Sequence, residues 1–117
     1  MIGPTGAVRV MVATRPVDFR KGAEGLAALV REKMTADPFS GAVYVFRAKR
    51  ADRIKIVWWD GTGLCLYAKR LEKAAFCWPR IGHSRIHLSH AQLLALVEGM
   101  DWKRVHAVTE SRPQSAG

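Results

Sequence analysis

The middle of the chain carries a dense cluster of positive charge that could bind phosphate groups. Four basic side chains and one acidic side chain occupy the seven positions 47–53. Guanidinium and ammonium groups contact the phosphate oxygens of nucleic acids, and so position a protein on the backbone without reading the bases. We therefore predict that this segment binds a nucleic acid through Arg47, Lys49, Arg50 and Arg53.

The remaining charge is concentrated in the same part of the sequence. The chain has 117 residues, with 19 Lys+Arg, 10 Asp+Glu and a formal net charge of +9. Residues 42–87 contain ten of the basic and three of the acidic side chains, so they hold +7 of that total. A balance of this kind favours a polyanionic partner. The alternative is a protective role, because Lys and Arg on edge strands also prevent aggregation.

Two cysteines and two histidines have the residue types of a zinc site, namely Cys65, Cys77, His83 and His87. Zinc fingers use a close pair of cysteines, whereas eleven residues separate these two. We therefore expect no metal and no other cofactor. The cysteines are predicted to be buried as small apolar side chains, and His83, His87 and His90 to be surface polar residues.

Carboxylates that could hold Mg²⁺ for nuclease or strand-transfer chemistry are few. Such chemistry needs several carboxylates that converge on the metal ions. Asp18, Asp37, Asp52 and Asp60 each occupy a cap, a position before proline or a turn, where aspartate is favoured for local reasons. A nucleophile motif of the G-x-S-x-G type does not occur. The sequence therefore predicts that the protein is not an enzyme.

Hydrophobic periodicity predicts the elements that must position these side chains. Apolar residues at helical spacing predict one helix after Asp18 as N-cap, ending before Asp37, and a second from Ser89 to a stop at Gly99. Ser89 and Gln92 have the spacing of a capping box. Alternating residues predict strands near residues 8–12, 43–46, 54–59, 64–69, 75–78 and 85–88.

This order predicts an α+β fold in which an antiparallel β-meander of about four to six strands carries both helices on one face, in the order β-α-β-β-β-β-α. The turn at residues 60–63 joins two of the strands in a hairpin. If the apolar side chains of this hairpin face the helices, four others share an open face: Lys55, Trp59, Tyr67 and Lys69. Such a face is typical of platforms that bind a nucleic-acid backbone and stack its bases. Packing inside the protein or against a partner remains the alternative for Trp58 and Trp59.

The composition is that of one ordinary globular domain. Hydrophobic residues make up 49% of the chain and charged residues 25%. No apolar run is long enough to span a bilayer, and no signal peptide is visible, so we expect a cytoplasmic protein without a membrane partner. Residues 1–108 are predicted to form a single α+β domain, and residues 109–117 a disordered tail.

Several strings of residues also carry a family resemblance. In chain order they are Asp18-Phe19-Arg20-Lys21-Gly22, Asp37-Pro38-Phe39-Ser40-Gly41, Lys55-Ile56-Val57-Trp58-Trp59-Asp60-Gly61, Ala68-Lys69-Arg70-Leu71-Glu72, Phe76-Cys77-Trp78-Pro79 and Glu98-Gly99-Met100-Asp101-Trp102. Together they resemble the TnpB-type accessory protein, the product of the second reading frame, of bacterial insertion sequence family 66. That protein is distinct from the RNA-guided nuclease that shares the TnpB name. The resemblance covers about residues 5–103.

The resemblance implies a role in the transposition of a bacterial insertion sequence, with recombination chemistry left to a separate transposase. It adds Arg20, Lys21, Lys55, Lys69 and Arg70 to the predicted nucleic-acid-binding residues. It also implies a location in the bacterial cytoplasm, associated with the nucleoid. DNA, the transposase and a sister accessory protein are the implied partners.

Three functions remain open at this level. The first is a non-catalytic factor that binds DNA, either at the element ends or non-specifically. The second is an adaptor that docks on the transposase through exposed aromatic side chains, for which Trp58, Trp59 and Trp78 are the candidates. The third is an RNA-binding module, suggested by element order alone. The sequence leaves the oligomeric state open.

Overall fold

A computed structural model describes residues 8–82 and 85–105, and these form a five-stranded sheet with two helices. The elements in chain order are β1 (Val10–Ala13), α1 (Ala23–Lys33), β2 (Val43–Arg47), β3 (Arg53–Trp59), β4 (Leu64–Arg70), β5 (Arg85–Leu88) and α2 (His90–Val97). A short 3₁₀ turn, Trp102–Arg104, follows α2. The α+β class and the approximate order of elements are confirmed. The predicted tail at residues 109–117 lies outside the described residues.

The sheet is mixed rather than a pure meander. Its strand order is β4-β3-β2-β1-β5, and β1 runs parallel to β2 while the other neighbours are antiparallel. A parallel pair needs a crossover connection, and α1 with its flanking loops supplies it between β1 and β2. The predicted antiparallel arrangement was therefore wrong for this one pair.

The two helices cover opposite faces of the sheet. In α1, Leu26 and Val30 pack with Met11, Tyr44 and Phe46 of the strands. The other core joins the two buried leucines of α2 to the alternate strand residues, which are Val10, Val12, Val43, Val45, Ile54 and Ile56. Because successive strand residues point to opposite faces, the two cores lie on the two sides of the sheet. The prediction that both helices pack on one face was wrong.

The start of α1 differs from the prediction, whereas α2 matches it. Asp18 does not cap α1; the N-cap is Gly22, and Asp18 instead accepts hydrogen bonds from Arg20. In α2, the Ser89 side chain accepts the Gln92 main-chain N–H and the Gln92 side chain accepts the Ser89 N–H, which is the predicted capping box. Gly99 adopts a left-handed φ of 78°, two residues after α2 ends.

Residues 75–78 do not form the predicted strand. The Phe76 N–H and the Trp78 indole N–H both donate to the Ala51 carbonyl, at 3.0 Å each. The segment therefore crosses the turn between β2 and β3 instead of lying alongside β4. The apolar alternation that predicted a strand here comes from one buried phenylalanine, Phe76, between more exposed neighbours. In the described part of the chain, no helix is both long and apolar enough to cross a membrane.

Candidate nucleic-acid interface

Two adjoining grooves collect most of the predicted cations. The first, of about 380 Å³, lies along the β3–β4 hairpin and is lined by Arg53, Lys55, Lys69 and Arg70. The second, of about 420 Å³, lies beside the β2–β3 turn and is lined by Arg20, Lys49, Arg50 and Arg53. Both grooves share Phe19 and Arg53. We call their joint lining the basic surface.

Arg53 marks the junction of the two grooves. It pairs directly across the strands with Arg70, so the two side chains leave the same face of the sheet at the open end of the hairpin. Like charges placed opposite each other in a sheet repel. The Arg53 Nε is buried without a hydrogen-bond partner among the described residues. An anion bound at this junction would relieve that repulsion.

The acidic neighbours of the basic surface neutralise it only partly. Arg20 forms a close ion pair with Asp18, with Nη2 to Oδ2 at 2.9 Å, and these hydrogen bonds lower the pKa of Asp18 to about 2. Arg50 lies 3.9 Å from Asp52, and its side chain is 74% exposed. In the described part of the chain, Lys49 has no acidic partner within 4.0 Å. The positive charge of the β2–β3 turn is therefore exposed and less neutralised than that of Arg20.

Two of the predicted DNA-binding lysines donate hydrogen bonds to main-chain carbonyls. The Lys55 ammonium donates to the carbonyls of Phe19 and Lys21, at 2.7 and 3.1 Å, in the loop before α1. The Lys69 ammonium donates at 2.8 Å to the carbonyl of Val97, the last residue of α2. A cation at this place satisfies a carbonyl that the helix itself leaves open. These lysines tie the helices to the hairpin.

The predicted open face that Lys55, Trp59, Tyr67 and Lys69 would share does not exist. The hairpin pairs Trp59 with Leu64, so each odd-numbered residue of β3 lies opposite an even-numbered residue of β4. Lys55 and Trp59 therefore point to the α1 side, while Tyr67 and Lys69 point to the α2 side. The error came from placing the apolar residues of both strands on the same face.

Arg47 and Trp78 form a structural contact. The Arg47 guanidinium lies 5.3 Å from the centre of the Trp78 ring, and its Nε donates to the Ala48 carbonyl. Burial lowers the pKa of Arg47 from its usual value. Trp78 is held in turn through its indole N–H on Ala51. This pair closes the end of the sheet and leaves the Arg47 charge less accessible than those of the β2–β3 turn.

The remaining predicted site residues, Lys21, Trp58 and Trp59, lie in different parts of the molecule. Lys21 lines a separate depression of about 460 Å³, beside Arg15 and Lys33. Trp58 packs against the core on the α2 side. Trp59 lies on the other side and contacts Phe39 edge to face, with the ring centres 5.4 Å apart.

Sequence reasoning missed two aromatic residues that shape these surfaces. Phe19 lies in the loop before α1 and lines both grooves, and the centre of its ring lies 5.2 Å from the Lys55 ammonium. Phe39 is 44% exposed and lies against Trp59, with the Arg31 guanidinium 5.0 Å from its ring. The string Asp37-Pro38-Phe39, a proline turn followed by an aromatic residue, was the signal that could have identified Phe39.

The residues considered for metal or acid chemistry have local partners. Asp60 accepts the main-chain N–H groups of Thr62 and Gly63 and the Cys65 thiol, which lowers the pKa of Asp60 to about 2. Asp37 accepts the Phe39 N–H. Within residues 8–82 and 85–105, no three His, Cys, Asp or Glu side chains are grouped to hold a metal ion.

The cysteines and histidines are less uniform than predicted. Cys65 and Cys77 are half-buried and free rather than fully buried. His87 is exposed on β5, and His90 is half-buried at the start of α2. His83 lies outside the described residues.

A family model described as IS66 Orf2-like protein matches residues 8–107, which is nearly the whole described fold. The chain belongs to the IS66 Orf2-like family. The resemblance carried by the tryptophan and lysine-arginine strings is thereby confirmed. Membership relates the protein to insertion-sequence transposition and to the IS66 transposition machinery.

Two Sinorhizobium fredii (strain NBRC 101917 / NGR234) proteins are similar to this IS66 Orf2-like chain. The uncharacterized protein y4jC is 47% identical over 113 residues, and the alignment covers 97% of both chains. The uncharacterized protein y4hO is 39% identical over 115 residues, covering 97% of this chain and 98% of its own length. No solved structure matches the chain.

Proposed function

We propose that this protein is a non-catalytic accessory factor of IS66-type transposition that binds the DNA backbone through its basic surface. The observation that carries the proposal is the junction of the two grooves, where Arg53 lines both grooves and lies opposite Arg70 on the neighbouring strand. A phosphate oxygen is a suitable acceptor for both guanidinium groups. Lys49 and Arg50 extend the same surface along the β2–β3 turn.

The proposal predicts backbone binding that depends steeply on salt. Each phosphate neutralised by Lys or Arg releases counterions, so the slope of log K against log salt reports how many phosphates the protein neutralises. Because no helix or strand of the described structure presents the basic surface as a major-groove reading head, we expect similar affinity for an element end and for a scrambled duplex. Fluorescence anisotropy with both duplexes across a potassium chloride series measures slope and specificity together.

A matched pair of variants tests the surface. Replacing Lys49, Arg50 and Arg53 with Ala should reduce the slope by about three, one for each phosphate that the variant no longer neutralises. The control variant, with Arg9, Lys33 and Lys103 replaced by Ala, removes the same charge at exposed positions elsewhere and should keep its slope. Equal slopes for the two variants, or unchanged binding by the first at low salt, would contradict the assignment.

We also propose that the chain performs no strand cleavage or transfer itself. In support, Asp18, Asp37 and Asp60 each bond to a group within five residues in the sequence. The purified protein with Mg²⁺ should leave labelled element-end DNA intact, and any cleavage that copurifies with the chain and is lost in an aspartate variant would contradict this.

The partly exposed Phe39–Trp59 pair favours a second candidate function, docking on the transposase. Aromatic side chains flanked by an arginine are frequent anchors of protein interfaces, and here Arg31 lies against Phe39. Replacing Trp59 with Ala should then abolish capture of the transposase at high salt while DNA affinity is retained. Capture that survives in this variant, or that is abolished by salt alone, would contradict docking through this pair. Competition between RNA and DNA of equal length tests the remaining alternative, an RNA-binding module.

A further inference from the structure

The two edges of the sheet differ in length. One edge is β5, which has four residues, and the other is β4, which has seven. Within the described residues, no strand pairs with the outer side of β4. A long unpaired edge offers a row of main-chain donors and acceptors to another strand, and proteins normally protect such an edge.

Hydrogen bonds at both ends of the hairpin identify the main-chain groups that face outward. The Asp60 N–H donates to the Gly63 carbonyl at 3.1 Å, and the Leu71 N–H donates to the Asp52 carbonyl at 2.9 Å, so both are hydrogen-bonded pairs. Bonded and non-bonded pairs alternate along an antiparallel ladder. The residues of β4 that bond inward to β3 are therefore Cys65, Tyr67 and Lys69. Those that point their N–H and C=O outward are Leu64, Leu66, Ala68 and Arg70.

The side chains on this edge protect it weakly. Leu66 is 41% exposed, and Ala68 is exposed as well. The two charged residues, Lys69 and Arg70, lie at the C-terminal end of the strand; the Lys69 ammonium binds the Val97 carbonyl, and the Arg70 side chain is 58% exposed. The strand contains no proline, and β3 pairs with it residue for residue without a bulge. The edge is thus regular, apolar at its centre and open to pairing.

We propose that β4 pairs antiparallel with β4 of a second copy of this chain, around a two-fold axis at Tyr67, to give a continuous ten-stranded sheet. This register overlaps all seven residues of the strand. It places Leu66 opposite Ala68, Leu64 opposite Arg70 and Cys65 opposite Lys69 of the second copy. No like charges lie opposite each other, and the apolar residues at the centre pack across the strands.

The charge of the chain is compatible with this pairing. Arg70 lies three residues from the axis, so the two Arg70 residues are about 20 Å apart at the strand rise of about 3.4 Å. That separation is about twice the Debye length of about 10 Å at 0.1 M salt, so repulsion between the two basic surfaces is largely screened. The dimer would present one basic surface at each end of the joint. The pairing itself does not depend on DNA binding.

A proline at an outward position tests the pairing directly. Ala68→Pro removes an N–H that bonds to nothing within the described fold, so the monomer should keep its structure. Sedimentation equilibrium should give twice the 13.0 kDa chain mass for the parent and the monomer mass for Ala68→Pro. Tyr67→Pro is the contrast, because it removes an inward N–H and should lower the unfolding midpoint. A parent that stays monomeric at 100 µM (roughly 100-fold above a tight dimer's Kd near 1 µM), or a dimer that Ala68→Pro leaves intact, would overturn the proposal.

Two measurements on other forms of the chain remain decisive if Ala68→Pro fails to fold. In the parent, amide exchange at Leu66 and Ala68 should slow as protein concentration rises; exchange that is fast at every concentration overturns the pairing. In a background with Cys65 and Cys77 replaced by Ser, Tyr67→Cys should form an oxidised dimer, because non-bonded pairs bring Cα atoms to about 4.5 Å, within disulfide range. Ala68→Cys should not. Slow exchange that appears only after the transposase is added would assign the edge to a different partner and overturn the second copy.

Discussion

The basic segment of residues 42–87 contains two groups of cations that act differently: groove cations and carbonyl-bound cations. The groove cations are Lys49, Arg50 and Arg53, which line the groove beside the β2–β3 turn; Lys55 and Lys69 line the other groove, but their ammonium groups bind carbonyls. The carbonyl-bound cations are Lys55, Lys69 and Arg85, whose side chains donate to the main chain before α1, at the end of α2 and at the end of α1. One residue of each group shows the contrast: the Arg50 side chain is 74% exposed and the Lys69 side chain 28%.

The difference shows that charge density alone does not identify the residues that contact a ligand. A lysine whose ammonium satisfies a helix carbonyl contributes to folding, and moving it to a phosphate would leave that carbonyl without its partner. A cation on a turn has no such role and can bind an anion at no cost to the fold. The predictions below separate these two groups by measuring stability and DNA binding on the same variants.

The largest effect on stability is expected at the carbonyl-bound lysines. Lys55→Met and Lys69→Met keep the apolar stem but remove hydrogen bonds from a charged donor, so each should lower the free energy of unfolding by about 2 kcal/mol. Lys49→Met should change it by less than about 0.5 kcal/mol, as is usual for an exposed site. Urea denaturation at neutral pH measures all three. Equal midpoints for the three variants would remove the distinction between the two groups.

Arg47 should behave as a structural residue despite its place in the densest basic segment. Arg47→Met keeps the stem against Trp78 but removes the cation from the face of its ring, so the free energy of unfolding should fall by about 1 kcal/mol. The slope of DNA affinity against salt should not change. A lower slope in this variant would place Arg47 among the groove cations.

Arg70 should show the opposite pattern. Its ion pair with Glu72, at 3.8 Å, is exposed on both sides, and its neighbour across the strand is Arg53. Arg70→Ala should therefore change stability by less than about 0.5 kcal/mol. The salt slope should fall by about one, because one phosphate is no longer neutralised. Anisotropy titrations of Arg70→Ala and Lys69→Met compare the salt slopes of variants at two adjacent residues of one strand. Equal slopes would contradict the assignment of Arg70 to phosphate binding and of Lys69 to the fold.

The smallest effect is expected for Asp60, a carboxylate that, like the lysines, is hydrogen-bonded to the main chain. The N–H groups of Thr62 and Gly63 hold the pKa of Asp60 at about 2, below its usual 3.8. Because the pKa is depressed in the fold, this stabilisation is complete above about pH 4 and is lost as the pH falls through 2. Asp60→Asn should therefore flatten the decrease of Tm between pH 4 and pH 2. An unchanged acid profile would contradict the role of the carboxylate.

Features fixed by local chemistry could be predicted from the sequence. The capping box of α2 depends on two side chains three residues apart, and the hairpin turn depends on Asp60 and the glycines that follow it. The basic cluster at the β2–β3 turn was also predictable, because a polar segment between two strands must be a connection and its side chains face solvent. These motifs need no information about distant parts of the chain.

Features that depend on distant residues could not be predicted in this way. The partner of Lys69 lies 28 residues away, and one partner of Lys55 lies 36 residues away. The faces of the hairpin depend on which residue numbers its turn brings opposite each other, and an error of one position moves Lys55 or Lys69 to the other side. One signal was present but not used: residues 10–13 and 43–46 are continuously apolar, which is typical of strands covered on both faces.

The most direct test of the account compares the groove triple variant with a Lys55→Met, Lys69→Met double variant in two assays. In anisotropy titrations across a salt series, the groove variant, with Lys49, Arg50 and Arg53 replaced by Ala, should decrease in slope by about three while the double variant keeps the parent slope at a temperature where it is folded. In urea denaturation, the order should reverse, with the double variant alone destabilised. A groove variant that binds DNA with the parent's slope, while the slope of the double variant falls, would contradict the account.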